Sequence, residues 1–106
     1  MNLPSTGRWD PGRDGPLSEA ALRRMLQSMG YRVARYEYPP GTFFPEHCHP
    51  VEKIDAVLAG TFRITLFGRT VHLGAGEWIR IPAGAVHDAA VIGEQQVIAL
   101  DAVRLG

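Results

Sequence analysis

Cysteine is almost absent from this chain: Cys48 stands alone, so no intrachain disulfide can staple the fold, and a reducing, cytoplasmic setting is expected. A surplus of one charge is missing too. Eleven basic and eleven acidic side chains leave a formal net charge of zero, which removes the electrostatic footprint that nucleic acid or an anionic membrane surface requires. No stretch approaches the ~18 consecutive apolar residues of a membrane span, and residues 1–16 lack the cationic start and apolar run of a signal peptide. Lysine is as rare as cysteine, with Lys53 alone beside ten arginines. The remaining resource, 106 residues of which 45% are hydrophobic, suffices for one globular core and not for two.

Turn formers are plentiful. Gly7, Gly12 and Gly15 with Pro4, Pro11 and Pro16 punctuate the start so densely that no helix or strand interior is expected there, and residues 1–17 read as an extended arm. Residues 18–106 then form the domain proper. Ser18 can cap free amides, Glu19 suits the positive end of a helix dipole, and Leu22, Met25, Leu26 and Met29 recur at helical spacing until Gly30. The methionines are expected as part of that helix's buried stripe. From Tyr31 onward the pattern is all-β: Phe62, Ile64 and Leu66 alternate with polar residues, Gly68-Arg69 makes a turn, Val71 and Leu73 flank His72, and Val97, Ile98 and Leu100 end the series. Helix-period patterning is absent after Gly30, so a parallel α/β sheet is excluded in favour of a sandwich or small barrel.

Four histidines occur, at 47, 49, 72 and 87. In His47-Cys48-His49 the two imidazoles fall on one side of a strand and can offer two nitrogens to one metal ion, while Cys48 turns the other way as a small buried or interface thiol. Taken alone, the pair fits exposed or merely hydrogen-bonded histidines better than a metal site. His72 alternates with Val71 and Leu73 and faces solvent. Trp78 and Arg80 share a face, where a guanidinium stacked on an indole explains both. Tyr31, Tyr36 and Tyr38 do not share one strand face and need no functional account.

The glycine and proline frame around these histidines resembles the cupin superfamily, the RmlC-like jelly-roll barrels also described as double-stranded β-helices. That family's first motif runs glycine, five residues, HxH, three or four residues, glutamate, six residues, glycine. Here it reads Gly41, His47-Cys48-His49, Lys53 and Gly60. The second runs glycine, five residues, proline, one residue, glycine, two residues, histidine, three residues, asparagine, and here Gly76, Pro82, Gly84, His87 and Val91 take those places. The resemblance covers roughly residues 31 to 103. It implies an all-β cupin barrel behind a short helix and arm, with His47, His49 and His87 binding one divalent metal ion, Fe, Zn, Ni or Mn. It also implies a small-molecule ligand and a homodimer, with the arm suited to reach across the partner and cover strand edges.

Two positions depart from the pattern. Lys53 occupies the place of the glutamate ligand, and Val91 replaces the asparagine. If 47, 49, 51 and 53 share a face, Lys53 projects into the metal cavity; a one-residue bulge at Pro50 would instead present Glu52 as the fourth ligand. Lys53 then either pairs with Asp55, two residues on, or holds an anionic substrate, or acts as a base with a lowered pKa. Three imidazoles without a carboxylate resemble the iron sites of cupin thiol and diketone dioxygenases. A metal-dependent oxygenase or isomerase-type enzyme is therefore one reading, and a non-catalytic small-molecule-binding or sensing cupin is the other.

Overall fold

A computed structural model describes residues 3–105. Two antiparallel sheets carry them. One holds β1 (Ser5–Arg8), β7 (Glu77–Ile81), β4 (Lys53–Ala59), β9 (Val97–Arg104) and β2 (Tyr31–Tyr38) in that order; the other holds β3 (Phe43–His47), β8 (His87–Ile92), β5 (Thr61–Leu66) and β6 (Arg69–Leu73). The expected all-β jelly-roll arrangement is the one adopted.

Alternation explains which residues fill it. In β5, Phe62, Ile64 and Leu66 are buried while Thr61, Arg63 and Thr65 are not, as befits a sheet with one face on the core. Between the sheets these residues meet Val57, Ile79, Ile81, Val97 and Ala99, and Val91 packs there in the place of the family's asparagine. Strands β4 and β9 bury residues on both faces. Their outer residues Ile54, Ala56, Leu100 and Ala102 form a second cluster with Leu22 and Leu26, because helix α2 (Glu19–Ser28) lies over that side of the sheet. The Ser18 hydroxyl caps α2 by accepting from the Ala21 amide at 3.1 Å. Met25 packs partly against the cluster, but Met29 is exposed, contrary to the expected stripe, because α2 ends at Ser28 and Gly30 turns the chain with φ +94°. The β5–β6 turn sits one residue earlier than expected. Leu66 pairs with Arg69, which leaves Phe67 and Gly68, both at positive φ, as a two-residue hairpin loop.

The amino-terminal arm needs a larger correction. It is neither free nor uniformly extended: β1 pairs along β7, and α1 (Pro11–Asp14) makes one turn capped by Asp10. Trp9 between them is buried, its amide donating to the Gly76 carbonyl and its indole N–H to the Gly15 carbonyl, both at 2.7 Å. Dense glycine and proline forbid long elements, not four-residue ones. Gly7 is in fact what lets β1 dock, since a Cβ there would lie 2.5 Å from the Trp78 ring. The arm therefore covers the β7 edge of its own sheet, whereas the sequence suggested a reach across a partner. The first two residues of the arm lie outside the described ones. No helix among the described residues is long and apolar enough to cross a membrane.

Candidate functional site

Strand β3 delivers His47 at its last residue, and β8 begins with His87. The two are direct partners across the ladder, although Phe44 pairs with Ala89, so β3 spends three steps where β8 spends two. That one-residue bulge at Pro45-Glu46 brings His47 opposite His87. His49 lies two residues past the end of β3. Its carbonyl accepts from the Gly84 amide at 2.8 Å, which ties the Pro82-Ala83-Gly84 turn to the HxH segment. Ring centroids are 4.3 Å apart for His47 and His87, 4.9 Å for His47 and His49, and 5.4 Å for His49 and His87.

These rings suit a metal ion. One ligand nitrogen from each lies within 4.8 Å of the others, and nitrogens bound at ~2.1 Å to a tetrahedral ion stand about 3.4 Å apart, so the rings would draw together by up to about 1.4 Å to close on one. The Pro45 carbonyl accepts from His47 Nδ1 at 2.7 Å and the Ala85 carbonyl from His87 Nδ1 at 3.0 Å. A carbonyl only accepts, so each Nδ1 carries the proton and each Nε2 presents its lone pair, as the outer hydrogen bonds of metal-bound histidines require. His49 Nε2 is buried without a hydrogen-bond partner. Burial first, then the Lys53 ammonium and the neighbouring imidazoles, hold His49 below the usual histidine range. Burial does the same for His87, against the raising effect of its bond to Ala85. Neutral imidazoles are the ligating form.

Lys53 faces the same cavity. Its Nζ lies 3.2 Å from Asp55 Oδ1 and 2.9 Å from Asp101 Oδ2. Asp55 was expected as its partner; Asp101 was not. Burial pulls Lys53 down, but the two carboxylates outweigh it and hold the ammonium above the ordinary lysine value, the direction opposite to that of a base of lowered pKa. Burial pushes the Asp55 carboxyl up, and Lys53 only partly opposes that. Glu52, the alternative fourth ligand, is engaged elsewhere. Its carboxylate accepts from the Tyr31 hydroxyl and from Arg80 at 2.9 Å, with Arg104 at 3.7 Å, and it lies outside the cavity because Lys53 and Asp55 take the inward positions of β4.

The cavity measures about 170 Å³ and is lined by the three histidines, Lys53, Asp55 and Asp101, with Tyr38, Phe44, Phe62 and Ala89 as its less polar wall. Asp101 and Tyr38 escaped the sequence reading. The signal for Asp101 was present, since Val97, Ala99 and Asp101 share a face whose other members are buried apolar residues. Tyr38 is the last residue of β2 and reaches the barrel mouth, where burial, reinforced by Asp55 and Asp101, pushes its phenol up to about 12. Cys48 is exposed, not buried. His72 is exposed as expected. Arg80 reaches Glu52, and the Trp78 ring is met by Gly7 of the arm, so their expected stacking is replaced by separate partners.

Comparison with known proteins places this geometry. The cupin domain family (Cupin_2) matches residues 34–103. A curated relative, germin-like protein subfamily 1 member 4 of Arabidopsis thaliana, is 26% identical over 113 residues, covering 96% of this chain and 50% of its own length. The chain thus spans half of that relative. Among solved structures, Bacillus subtilis oxalate decarboxylase, studied for its Mn(II) centres, superposes with a TM-score of 0.64 at 25% identity over 71% of this chain and 22% of that one. The DMSP lyase DddQ of Ruegeria pomeroyi gives 0.64 at 27% identity over 72% and 39%. Because the family match runs through every strand from β3 to β8 and most of β2 and β9, the chain belongs to the cupin family.

Proposed function

We propose that this cupin holds one divalent metal ion through His47, His49 and His87 and binds a small molecule in the adjoining cavity, as a three-histidine dioxygenase-type site. The observation that carries this is the convergence of three imidazoles within 4.8 Å at the wall of a 170 Å³ cavity. The Mn(II) centres of the related oxalate decarboxylase support a metal and leave Fe, Zn, Ni and Mn all open to a set of imidazoles. A bound ion would supply Lewis acidity and, where redox-active, one-electron chemistry at the coordination positions that the histidines leave free. The protein's own share is to orient His47 and His87 through their Nδ1 hydrogen bonds, to favour the neutral forms of His49 and His87, and to line the approach with Tyr38, Lys53, Asp55 and Asp101.

One observation favours the second reading, a binding or sensing module without turnover. Lys53 is locked between two carboxylates as a stable ammonium, so it offers no free base to a substrate. Metal content of protein purified without a histidine tag, followed by anaerobic reconstitution with ferrous iron and oxygen-uptake assays across thiols, diketones and small acids, separates the two. One metal per chain with substrate-dependent oxygen uptake supports the enzyme; metal and ligand binding without uptake leaves the module. Metal binding that survives alanine at all three histidines refutes the proposed metal site, and with it the enzyme.

A further inference from the structure

We infer that this chain pairs with a second copy of itself along β2, antiparallel and in one register, with Tyr36 on the two-fold axis and Arg35 of each copy opposite Glu37 of the other. This goes beyond the function proposed above and is independent of the metal. Among the described residues, four strands end the two sheets with a free edge: β1, β2, β3 and β6. Strand β1 has four residues, β3 is bulged and holds Pro45, and β6 carries no acid to set against Arg69. Strand β2 runs eight residues in unbroken register with β9 and leaves Ala34, Arg35, Tyr36 and Glu37 exposed. An open edge of that length is a template for another strand, and the charges along it decide which strand is admitted.

The backbone and the charges fix the register. Opposite Tyr31, the Arg104 amide donates to the Glu52 carbonyl just before β4 at 2.9 Å, so this pair exchanges no hydrogen bond and the Tyr31 backbone faces away from β9. Alternate residues follow it. The Val33 carbonyl accepts from Arg23 Nη1 of α2 at 2.9 Å, and Arg35 and Glu37 turn their amides and carbonyls to the open edge. A two-fold pairing centred on Arg35 or on Glu37 would set like charges opposite one another, which is destabilising. One centred on Ala34 would need the Val33 carbonyl that Arg23 already holds. Centred on Tyr36, Arg35 and Glu37 exchange backbone hydrogen bonds with Glu37 and Arg35 of the other copy, and four charges alternate in sign around the axis. Val33 then falls opposite Pro39, which has no N–H to give and meets a carbonyl that needs none. Arg35 points to the α2 side, where it meets Glu19 at 2.8 Å, whereas Tyr36 and Tyr38 stack on the other side at 6.0 Å. Tyr38 lines the cavity, and Tyr36 is 46% exposed. Pairing covers Tyr36 with its own copy, so a row of tyrosines joins the walls of the two cavities.

Sedimentation equilibrium of the full chain at tens of micromolar should return a dimer. Arg35→Glu alone and Glu37→Arg alone each turn both pairs across the axis into like charges, and each should weaken the dimer about tenfold or more. Mixed in equal amounts, the two variants should pair with each other, since each supplies the charge that the other lacks. A monomeric native chain, a native dimer that neither reversal weakens, or a mixture that stays monomeric would overturn the inference. Where a reversal variant fails to fold, a cross-link decides. Tyr36→Cys in a Cys48→Ser background sets two thiols on Cα atoms about 4.5 Å apart, within disulfide reach, and should join two chains on mild oxidation. Ala34→Cys in the same background, about 13 Å from its copy, should not. No cross-link through position 36, or one through position 34, would overturn the register. No metal or ligand enters these measurements, so their outcome is separate from that of the histidine site.

Discussion

Replacing Lys53 by methionine should be the most damaging single change at the cavity wall. Asp55 and Asp101 are direct partners across the β4–β9 ladder, and like charges at such positions repel. The Lys53 ammonium is what offsets them, at 3.2 and 2.9 Å, with side chains only 9% to 23% exposed. At an effective dielectric of about 20, each contact is worth about 5 kcal/mol of gross attraction, most of which desolvation cancels. Removing the cation leaves that desolvation uncompensated. Lys53→Met keeps most of the stem's volume, so the expected loss of about 3–5 kcal/mol is electrostatic. Asp55→Ala should cost less, about 1–3 kcal/mol, because Lys53 keeps its 2.9 Å contact with Asp101. Replacing both acids together with Lys53→Met by apolar residues of similar size should recover most of the loss. The pH dependence has a definite sign. A carboxyl raised on folding contributes stability that is present below its unfolded pKa and lost as pH rises through the folded one. Asp55 is already such a group, and without Lys53 it becomes more so, hence the deficit of Lys53→Met should shrink as pH is lowered from 8 to 5. Urea unfolding followed through the fluorescence of Trp9 and Trp78, with the midpoint compared at constant m, measures this. A Lys53→Met variant within about 0.5 kcal/mol of the native protein at pH 7, or a deficit that grows on acidification, would refute the reasoning.

Alanine at His47, His49 or His87 should each weaken zinc or ferrous-iron binding, and the triple variant should bind no stoichiometric metal by equilibrium dialysis. Since His49 and His87 are held below the usual histidine range, their neutral forms favour the folded state above a pH of about 6.5. That stability is lost as pH falls through the lowered values, so metal-free protein should weaken on acidification and metal release should have its midpoint below 6.5 in a chelator-competition titration. Gly7→Val should drive β1 off the Trp78 ring, lowering stability by about 1–3 kcal/mol and exposing the arm to limited proteolysis; a variant cleaved no faster than the native protein counts against that packing. We expect a homodimer formed along an edge that the arm does not cover, since β2 ends its sheet unpaired with Ala34, Arg35, Tyr36 and Glu37 exposed. Light scattering at tens of micromolar that returns a monomer mass would remove it.

The sites legible in the sequence are those that one strand's period decides, and the illegible ones depend on what a second strand brings. Residues 62, 64 and 66 could be assigned to the core because alternation needs no partner. The inward position of Lys53 was expected from a parity count running unbroken from His47, yet the chain leaves β3 at His47 and enters β4 of the other sheet at Lys53. The orientation agrees while the assumed continuous strand does not exist. What holds Lys53 inward is β4's own alternation, with Ile54 and Ala56 claimed by the helix-covered face and Asp55 and Val57 by the interior. Asp101 illustrates the other limit. It lies 48 residues from Lys53, and no spacing rule within a strand joins them; only the β4–β9 register does. An acid on the apolar face of a terminal strand was the available warning, because a carboxylate is seldom left there without a counter-ion. The sole lysine of the chain, already placed on an inward face, was the candidate cation. Pairing the two from sequence would have required treating every charge on a buried face as a demand for its opposite elsewhere in the chain, and that same demand is what makes Lys53 a counter-ion to Asp55 and Asp101.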